Sequence, residues 1–545
     1  MALAMPDPIQ HHPHKYDDGT EDAKRSSISG ASLYSGVSGI GTVENIRSIE
    51  ICEPEREPHE KAFRGQAVMQ SRRVIEEKAN MTEHELTFII VVIMAQLFTQ
   101  MNLGNTIIQL KQVGQALGVG DSTTEGSWFV ASYSMTVGAF VLATGRLGDI
   151  YGFKTLWIIG WIWTAAFSLI CGFCGYMHSP IAYDIFRALT GIGPSILMPN
   201  AAALIGTAFN PGFKKNLAFA LFGAVAPGGY VLGLLWGALF AQLVDDWRWT
   251  YWAMCLVCLV LAGIAYVVIP TEFNKKGHGT FDYLGTVVGV SGLVLVFFSF
   301  NGAPSFNWST PYIPVLLAVG LLLLAAFVYI ENHTDHPVMP MSLFLNPVFS
   351  AVIISLMCGW MSFGMYQYYT PNFLLHTRSL TQINVAAQFI PSAISGGLAA
   401  LIAVYLLPRV SAWPLFLASM VFFCAGQVLL ALTPVDQTYW AMTFPTIVLT
   451  SLGPDLSFAS GSLIVSDASP RDKQGIAGSF VNTVVNYSIG LGLAFGGSVE
   501  KATNLGGKDV VRGYRGAWWL GTGFAGLGIV VTVLFRKRME KSHKA

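Results

Sequence analysis

Long apolar runs alternate with short polar segments along the chain from about residue 87 to its end. Fourteen of the runs approach the ~20 residues that a helix needs to cross a bilayer. An even number of crossings places both ends of this region on the same side of the membrane. The pattern predicts an all-α, polytopic membrane protein with spans at about 87–108, 127–146, 155–176, 181–206, 216–241, 249–270, 281–300, 312–331, 347–373, 382–406, 411–432, 438–462, 473–497 and 515–535.

Polar tails flank the predicted spans. Residues 1–80 are rich in Ser, Glu and Lys and contain too little apolar surface to fold alone. We therefore expect a disordered cytosolic tail there. The last span is followed only by a short tail, residues 537–545.

Composition excludes several classes of function. The chain is 53% hydrophobic and 12% charged, whereas soluble proteins carry about 25% charged residues. A formal net charge of zero gives no case for nucleic-acid binding. Without a phosphate-binding loop or a catalytic or metal-ligand constellation, we expect neither an ATP-driven pump nor an enzyme, and no cofactor or metal. The Cys-x-x-Cys pairs at 171–174 and 255–258 lie within spans and read as apolar packing.

Basic residues are distributed unequally between the two sides of the predicted spans. Fourteen Lys and Arg fall in the segments on the side of the termini and seven on the other side. Cytoplasmic segments of membrane proteins carry the excess of Lys and Arg. We therefore expect both termini in the cytosol, with the plasma membrane as the main location and the vacuolar membrane as the alternative.

The decapeptide at residues 145–154, G-R-L-G-D-I-Y-G-F-K, is the least membrane-like segment between two spans. Gly145 and Gly152 permit sharp turns and close approach of backbone. Arg146 and Lys154 mark the cytosolic side. Asp149 is a charge at the membrane edge and needs a partner. These features predict a functional polar loop between spans 2 and 3.

Three ionisable residues inside spans are candidates for function, because charges in a membrane are expensive. Asp184 and Arg187 are three residues apart and can face each other on one side of span 4. Arg187 either controls substrate or protons in a central cavity or forms a structural ion pair with Asp184. Asp455 follows Pro454, which removes a backbone donor. This acid is either a protonatable coupling group or a satisfied helix contact.

Uncharged polar residues and glycines mark three further spans. Gln367 ends span 9 within a Tyr-Gln-Tyr-Tyr cluster, which fits either a cavity mouth or the aromatic belt at the membrane interface. Asn482 and Asn486 lie one turn apart in span 13, either lining the cavity or joining helices. In span 5, glycines flank a helix-bending proline and indicate either an antiporter-type helix or simple tight packing: Gly223, Pro227, Gly228, Gly229 and Gly233.

These motifs resemble those of the major facilitator superfamily. The decapeptide is similar to the signature G-x-L-[AG]-D-R-x-G-R-[RK], with Ile150 and Phe153 in place of bases. Residues 187–193 resemble the R-x-x-Q-G-x-G motif of drug:proton antiporters, with Thr190 in place of Gln. Span 5 resembles the antiporter motif G-x-x-x-G-P-x-x-G-G, with Ala226 replacing the second Gly and a different spacing. Fourteen spans place the chain with the fourteen-spanner drug:H⁺ antiporters.

Within that group the chain looks most similar to fungal aminotriazole-resistance and boron-efflux-like proteins, through residues 187–200, 221–233, 453–458 and 481–488. The resemblance implies two six-helix halves, at 81–270 and 334–536, with two extra spans at 271–333. The halves would rock about a central cavity. Asp149 would then latch the decapeptide to span 13 in one state, and span 5 would seal the halves.

The expected function is export of small molecules, either drugs and toxic compounds or a borate-like solute, coupled to proton entry by alternating access. Its partners would be a small-molecule substrate, protons and the lipid bilayer, and we expect a monomer. The runner-up is proton-coupled or facilitated uptake of a nutrient or metabolite. A membrane sensor that does not transport is a third reading, weakened by the short C-terminal tail.

Overall fold

Fourteen helices long and apolar enough to cross a membrane make up most of the computed structural model. The structure describes residues 81–120, 123–210, 213–274, 281–335, 337–470 and 473–542, so the predicted disordered tail lies outside the described residues. The helical fold with fourteen spans is confirmed. Numbered in chain order, spans 1 to 14 are Glu83–Ile107, Glu125–Tyr151, Phe153–Met177, Pro180–Ala208, Lys214–Val244, Arg248–Val268, Tyr283–Phe306, Tyr312–Glu331, Pro347–Thr377, Gln382–Leu406, Ala412–Leu432, Tyr439–Asp467, Gln474–Thr503 and Val510–Glu540.

Several helices are longer than the apolar pattern predicts, because polar residues continue a helix beyond its apolar run. Span 1 begins at Glu83 behind a capping box, in which Thr82 and Glu85 satisfy each other's backbone N–H groups. The last helix runs to Ser542, so much of the predicted C-terminal tail is helical. Short helices at Leu110–Ala116, Thr271–Asn274 and Met341–Leu345 lie between spans.

The spans run between two faces of the molecule, which we call the terminal face and the opposite face. The terminal face carries the first residue of span 1 and the last of span 14, and the opposite face lies at the other end of the spans. Spans 1 to 6 pack mainly with one another, and so do spans 9 to 14. We call spans 1 to 6 and spans 9 to 14 the two halves.

Spans 7 and 8 attach where the halves meet. Span 7 packs on span 2 of the first half and span 13 of the second, while span 8 packs mainly on span 7. The Tyr487 hydroxyl donates to Leu293 O at 2.7 Å, and the Phe297 ring meets the Tyr487 ring edge-on. Trp128 of span 2 packs on Phe298. Span 7 is therefore fixed to both halves along their seam.

The two halves pack their first and fifth spans by the same device. In the first half, a side chain added at Gly229 or Gly233 of span 5 would collide with the backbone of span 1. In the second half, Gly492 of span 13 meets Met361 of span 9, and Gly364 of span 9 meets Ile489. Glycine at such positions allows helix backbones to approach closely. Gly229 and Gly233 in the first half, and Gly364 and Gly492 in the second, therefore serve packing.

A candidate transport cavity between the halves

A cavity with an empty volume of about 740 Å³ lies between the two halves. Spans 1, 4 and 5 supply its wall on one side and spans 9, 10, 12 and 13 on the other. Its lining combines aromatic rings, amides, hydroxyls and one carboxylate: Gln96, Gln100, Met198, Phe222, Gly223, Ala226, Pro227, Tyr230, Trp360, Phe363, Tyr366, Gln367, Ser392, Ser451, Pro454, Asp455, Phe458, Asn482, Val485 and Asn486.

Contacts between the halves close the cavity toward the opposite face. The Tyr230 hydroxyl of span 5 donates to Gln367 O of span 9 at 2.8 Å. Phe389 of span 10 lies between the rings of Tyr230 and Tyr366, at 6.1 Å from each ring centroid. Further out, the backbone N–H of Ile383 donates to Gln242 Oε1 at 3.2 Å. These contacts form a plug of aromatic rings and hydrogen bonds.

Two arginines stabilise the loops of the opposite face. Arg378 donates to Val435 O, Thr443 Oγ1 and Pro434 O at 2.9 to 3.0 Å. Burial lowers the pKa of Arg378 from its very high ordinary value. Arg248 forms two-point hydrogen bonds to Asp246, at 2.8 Å for the shortest, and these bonds lower the pKa of the Asp246 carboxyl.

Toward the terminal face the cavity borders open space. A side chain added at Gly223 of span 5 would meet no atom within 4 Å, and the same holds for Gly475 and Gly478 of span 13. Asp149, at the terminal end of span 2, leaves half of its side chain exposed. The structure is therefore closed on the opposite face and open on the terminal face.

Asp455 is the only residue with a charged side chain among those that line the cavity. Its residue surface is 9% exposed, and its Oδ2 has no hydrogen-bond partner among the described residues. The carboxylate lies beside Gly396 of span 10, which in turn contacts Pro227 of span 5. A buried carboxylate without a partner is costly when charged. This arrangement does not fit the alternative of a satisfied helix contact.

Three uncharged candidates also line the cavity. Gln367 is 3% exposed, and its side-chain Oε1 has no hydrogen-bond partner in the described structure. Asn482 donates to Gly478 O at 3.4 Å and Asn486 to Asn482 O at 3.0 Å, each within span 13. Tyr368 and Tyr369, the neighbours of Gln367, are each 1% exposed. The aromatic-belt reading of this cluster is therefore wrong, because these rings are enclosed by protein.

Arg187 lies outside the cavity lining, in an aromatic pocket of the first half. It is completely buried, and its guanidinium donates to Asn102 O at 2.9 Å and Phe129 O at 3.4 Å. The same group lies 4.7 Å from the ring centroid of Tyr133 and 5.8 Å from that of Tyr251. Cation–π attraction and carbonyl acceptors thus hold the charge.

The ion pair between Asp184 and Arg187, the structural alternative for Arg187, is not formed, although the two share span 4. Arg187 points to spans 1, 2 and 6, where carbonyls and tyrosine rings are available. Asp184 lies one turn nearer the opposite face and also stays outside the cavity lining. Of the six cavity candidates, the structure brings together Gln367, Asp455, Asn482 and Asn486, and separates Asp184 and Arg187 from them.

The five candidates in span 5 divide by helix face. Gly229 and Gly233 pack on Leu97 O and Met101 O of span 1, where an added Cβ would collide. Gly223 and Pro227 line the cavity. Gly228 faces open space, with no atom within 4 Å of an added Cβ. The motif therefore combines tight packing on one face with cavity lining on the other.

The decapeptide at 145–154 is a helix junction rather than a loop. Span 2 stays helical through Tyr151, and Gly152, at φ 98°, makes the turn into span 3. Asp149 pairs with Arg146 at 3.6 Å on its own helix, and no contact to span 13 is recorded for it. Lys154 is buried and donates to Tyr266 O at 2.9 Å and Ile269 O at 2.5 Å, which ties span 3 to the end of span 6.

Sequence reasoning missed much of the cavity wall. Gln96 and Gln100, one helical turn apart in an apolar span, carried a signal that could have identified them. Ser392 and Ser451 share a hydrogen bond of 2.6 Å between spans 10 and 12, and a single hydroxyl in a span is too common to stand out. Trp360 and Phe363 read as core residues from sequence.

Comparison with known proteins agrees with this architecture. The sequence profile of the Major Facilitator Superfamily matches residues 90–414 and 352–545. The chain belongs to the major facilitator superfamily. A solved bacterial homologue of the human lysosomal transporter Spinster shares this fold, with a TM-score of 0.57 at 12% identity, over 85% of this chain and 98% of that one.

Of three similar fungal proteins, an efflux pump and a resistance protein support the drug-transporter group of the superfamily. A low-affinity ammonium transporter of Saccharomyces cerevisiae is 41% identical over 84% of this chain and 92% of its own. An efflux pump of Aspergillus terreus is 38% identical over 85% and 90%. The aminotriazole resistance protein of Saccharomyces cerevisiae is 34% identical over 83% and 84%.

Proposed function

We propose that this transporter exports small organic molecules in exchange for protons, by alternating access of the central cavity. The observation that carries the proposal is Asp455, the one carboxylate in the cavity lining. A carboxylate with an unpartnered oxygen can accept a proton or face a bound cargo. Proton entry would neutralise it in one state, and proton release would return it to the charged form in the other.

The lining supports an organic cargo over a borate-like solute. Six aromatic side chains contribute to the wall: Phe222, Tyr230, Trp360, Phe363, Tyr366 and Phe458. Aromatic walls with a few polar groups suit an apolar or aromatic body. Rings beside a single carboxylate also attract a positive charge. We therefore expect neutral or singly positive organic cargo, and weak binding of anions.

The direction of transport follows from which face is cytosolic. The excess of Lys and Arg on the terminal face supports a cytosolic assignment for it. With that assignment, the cavity is open to the cytosol and closed to the outside. This is the state in which an exporter would load its cargo. Asp149 would engage span 13 only when the terminal face closes, and in this state it pairs with Arg146 of its own helix.

The test uses inside-out vesicles from cells that express the full chain. An acidic lumen should drive accumulation of radiolabelled aminotriazole, because lumenal protons leave as the probe enters. A protonophore should abolish the accumulation, and vesicles without the protein provide the background. Accumulation that persists with the protonophore would contradict proton exchange.

A second candidate is uptake of ammonium or a related cation, which the 41% identical ammonium transporter favours. The same carboxylate and rings would receive a small ammonium ion. Right-side-out vesicles with radiolabelled methylammonium separate the two functions. If methylammonium enters these vesicles down its own concentration gradient and a protonophore does not change its entry, uptake is favoured over export.

A further inference from the structure

We propose that Gly396 is a positioning residue for proton coupling, because it lets the carboxylate of Asp455 lie at the contact between the two halves. The inference rests on the proposed proton exchange and adds to it. Asp455 belongs to span 12 of the second half, and Pro227 to span 5 of the first. Gly396 of span 10 touches both.

The geometry around Gly396 leaves no room for a side chain. An added Cβ would come within 2.8 Å of Asp455 Oδ2 and 2.7 Å of Pro227 Cβ. Real Cβ atoms essentially never approach other heavy atoms within 3.0 Å, so one of the neighbours would have to move. The glycine therefore creates the space in which the acid approaches the other half.

The next residue provides a natural contrast. Gly397 has no atom within 4 Å of an added Cβ, although it lies on the same helix. Both residues are glycine, so the same substitution changes helix propensity equally at each. Any difference between the two variants then reports the contact with Asp455 and Pro227.

The surroundings of Asp455 explain why its charge would govern this contact. The other titratable groups in the cavity lining are the hydroxyls of Tyr230 on span 5 and Tyr366 on span 9, which are neutral at ordinary pH. Spans 10 and 13 contribute hydroxyls, amides and apolar groups there. Without a cationic partner, the charged carboxylate needs water from the open cavity.

The need of the charged Asp455 carboxylate for water couples closure of the terminal face to binding of a proton or cargo. The charged, empty carboxylate opposes closure of the terminal face, since closure would remove its water. A proton bound to the carboxylate, or a positive cargo beside it, removes that cost and permits the halves to close. The proton is taken up from one side and released to the other, with the same Asp455 oxygen as its carrier.

The experiment measures closure directly and needs no cargo. Phe219 and Leu398, on the terminal halves of spans 5 and 10, are 39% and 53% exposed and accept spin labels after substitution with Cys. The labels are introduced into a variant in which the seven native cysteines are replaced by Ser or Ala. Distances are measured by pulsed electron resonance on the full chain in lipid nanodiscs, at mildly acidic and mildly alkaline pH. The parent should show shorter distances at acidic pH.

The matched variants decide between outcomes. We expect Gly396→Ala to lose the pH-dependent shift and Gly397→Ala to keep it. If both variants keep the shift, or both lose it, the role of Gly396 is overturned. If the parent and Asp455→Asn respond alike to pH, the coupling role of Asp455 fails as well, which separates failure of the proposed function from failure of this inference.

A second variant covers the case in which Gly396→Ala does not fold. Pro227→Ala removes the Cγ and Cδ atoms of the ring that presses on Gly396 and adds no heavy atom, only a backbone N–H. We expect it to reduce the pH-dependent shift, because the carboxylate then has no close surface on the other half. A full shift in Pro227→Ala would overturn the proposal independently.

Discussion

Arg187 and Asp455 are both buried charged residues, one in each half, and the structure treats them in opposite ways. The Arg187 guanidinium lies away from the cavity, with carbonyl acceptors for Nε and Nη2 and two tyrosine rings around it, while its Nη1 has no hydrogen-bond partner among the described residues. The Asp455 carboxylate lines the cavity and keeps an oxygen without a hydrogen-bond partner in the described structure. Both halves otherwise share the same glycine-mediated packing.

This difference distinguishes a buried charge that stabilises the fold from a buried charge that takes part in transport. A charge with several fixed partners holds helices together, since removing it leaves those partners unsatisfied. A carboxylate that lines a cavity with one oxygen unpartnered in the described structure can use that oxygen to bind a proton or to face cargo. The Arg187 pocket also includes a hydrogen bond of 2.9 Å between Thr106 and Tyr251, which joins spans 1 and 6. We therefore assign stability to the first charge and coupling to the second.

The largest expected effect is a difference in stability between variants of Arg187 and Asp455. Arg187→Ala should lower the free energy of unfolding by roughly 3 kcal/mol, since it removes charge-assisted hydrogen bonds and a cation–π contact. Asp455→Asn should change it by less than about 0.5 kcal/mol or increase it. Thermal unfolding of the purified variants in detergent, followed by tryptophan fluorescence, gives the ranking.

Arg187→Lys serves as the control, because it keeps the charge but cannot reach two carbonyls with a planar group. Its apparent unfolding temperature should lie between those of the parent and Arg187→Ala. An Arg187→Ala protein as stable as the parent would remove the structural role assigned here. An Asp455→Asn protein as stable as the parent would, in contrast, agree with the role in coupling assigned to Asp455.

An intermediate effect tests the packing that the halves share. Gly229→Ala should destabilise by about 1–3 kcal/mol, because its Cβ would collide with the backbone of span 1. Gly228→Ala, one residue earlier and facing open space, should stay within about 0.5 kcal/mol of the parent. Thermal unfolding again provides the measurement. Equal losses in the two variants would contradict the packing explanation, because alanine has the higher helix propensity and propensity alone would stabilise both variants.

The smallest effect concerns the helix junction at the terminal face. Asp149→Asn should slow turnover roughly two- to fivefold, since an exposed ion pair is worth about 0–1 kcal/mol. Cargo affinity in the terminal-face-open state should not change, because Asp149 lies outside the cavity lining and forms its ion pair with Arg146. Transport rate and binding of aminotriazole are compared in the same preparation. A weakened affinity with a normal rate would contradict the latch.

Sequence reasoning recovered the spans and the glycines because both depend on local pattern. Apolar run length identifies a span, and glycines on one helix face indicate close packing. The partners of Arg187 lie 58 and 85 residues away, in spans 2 and 1, so its setting depended on tertiary packing. The decapeptide appeared as a loop because it is polar, yet only Gly152 breaks the helix. Hydroxyls such as Ser451 carry no distinguishing signal.

The central claim is that Asp455 carries the exchanged proton. In proteoliposomes, Asp455→Asn should retain exchange of labelled for unlabelled aminotriazole, which needs no net proton movement. The same variant should lose accumulation driven by a pH gradient, because its amide cannot release a proton. Accumulation driven by the pH gradient at the parental rate in Asp455→Asn would contradict the account.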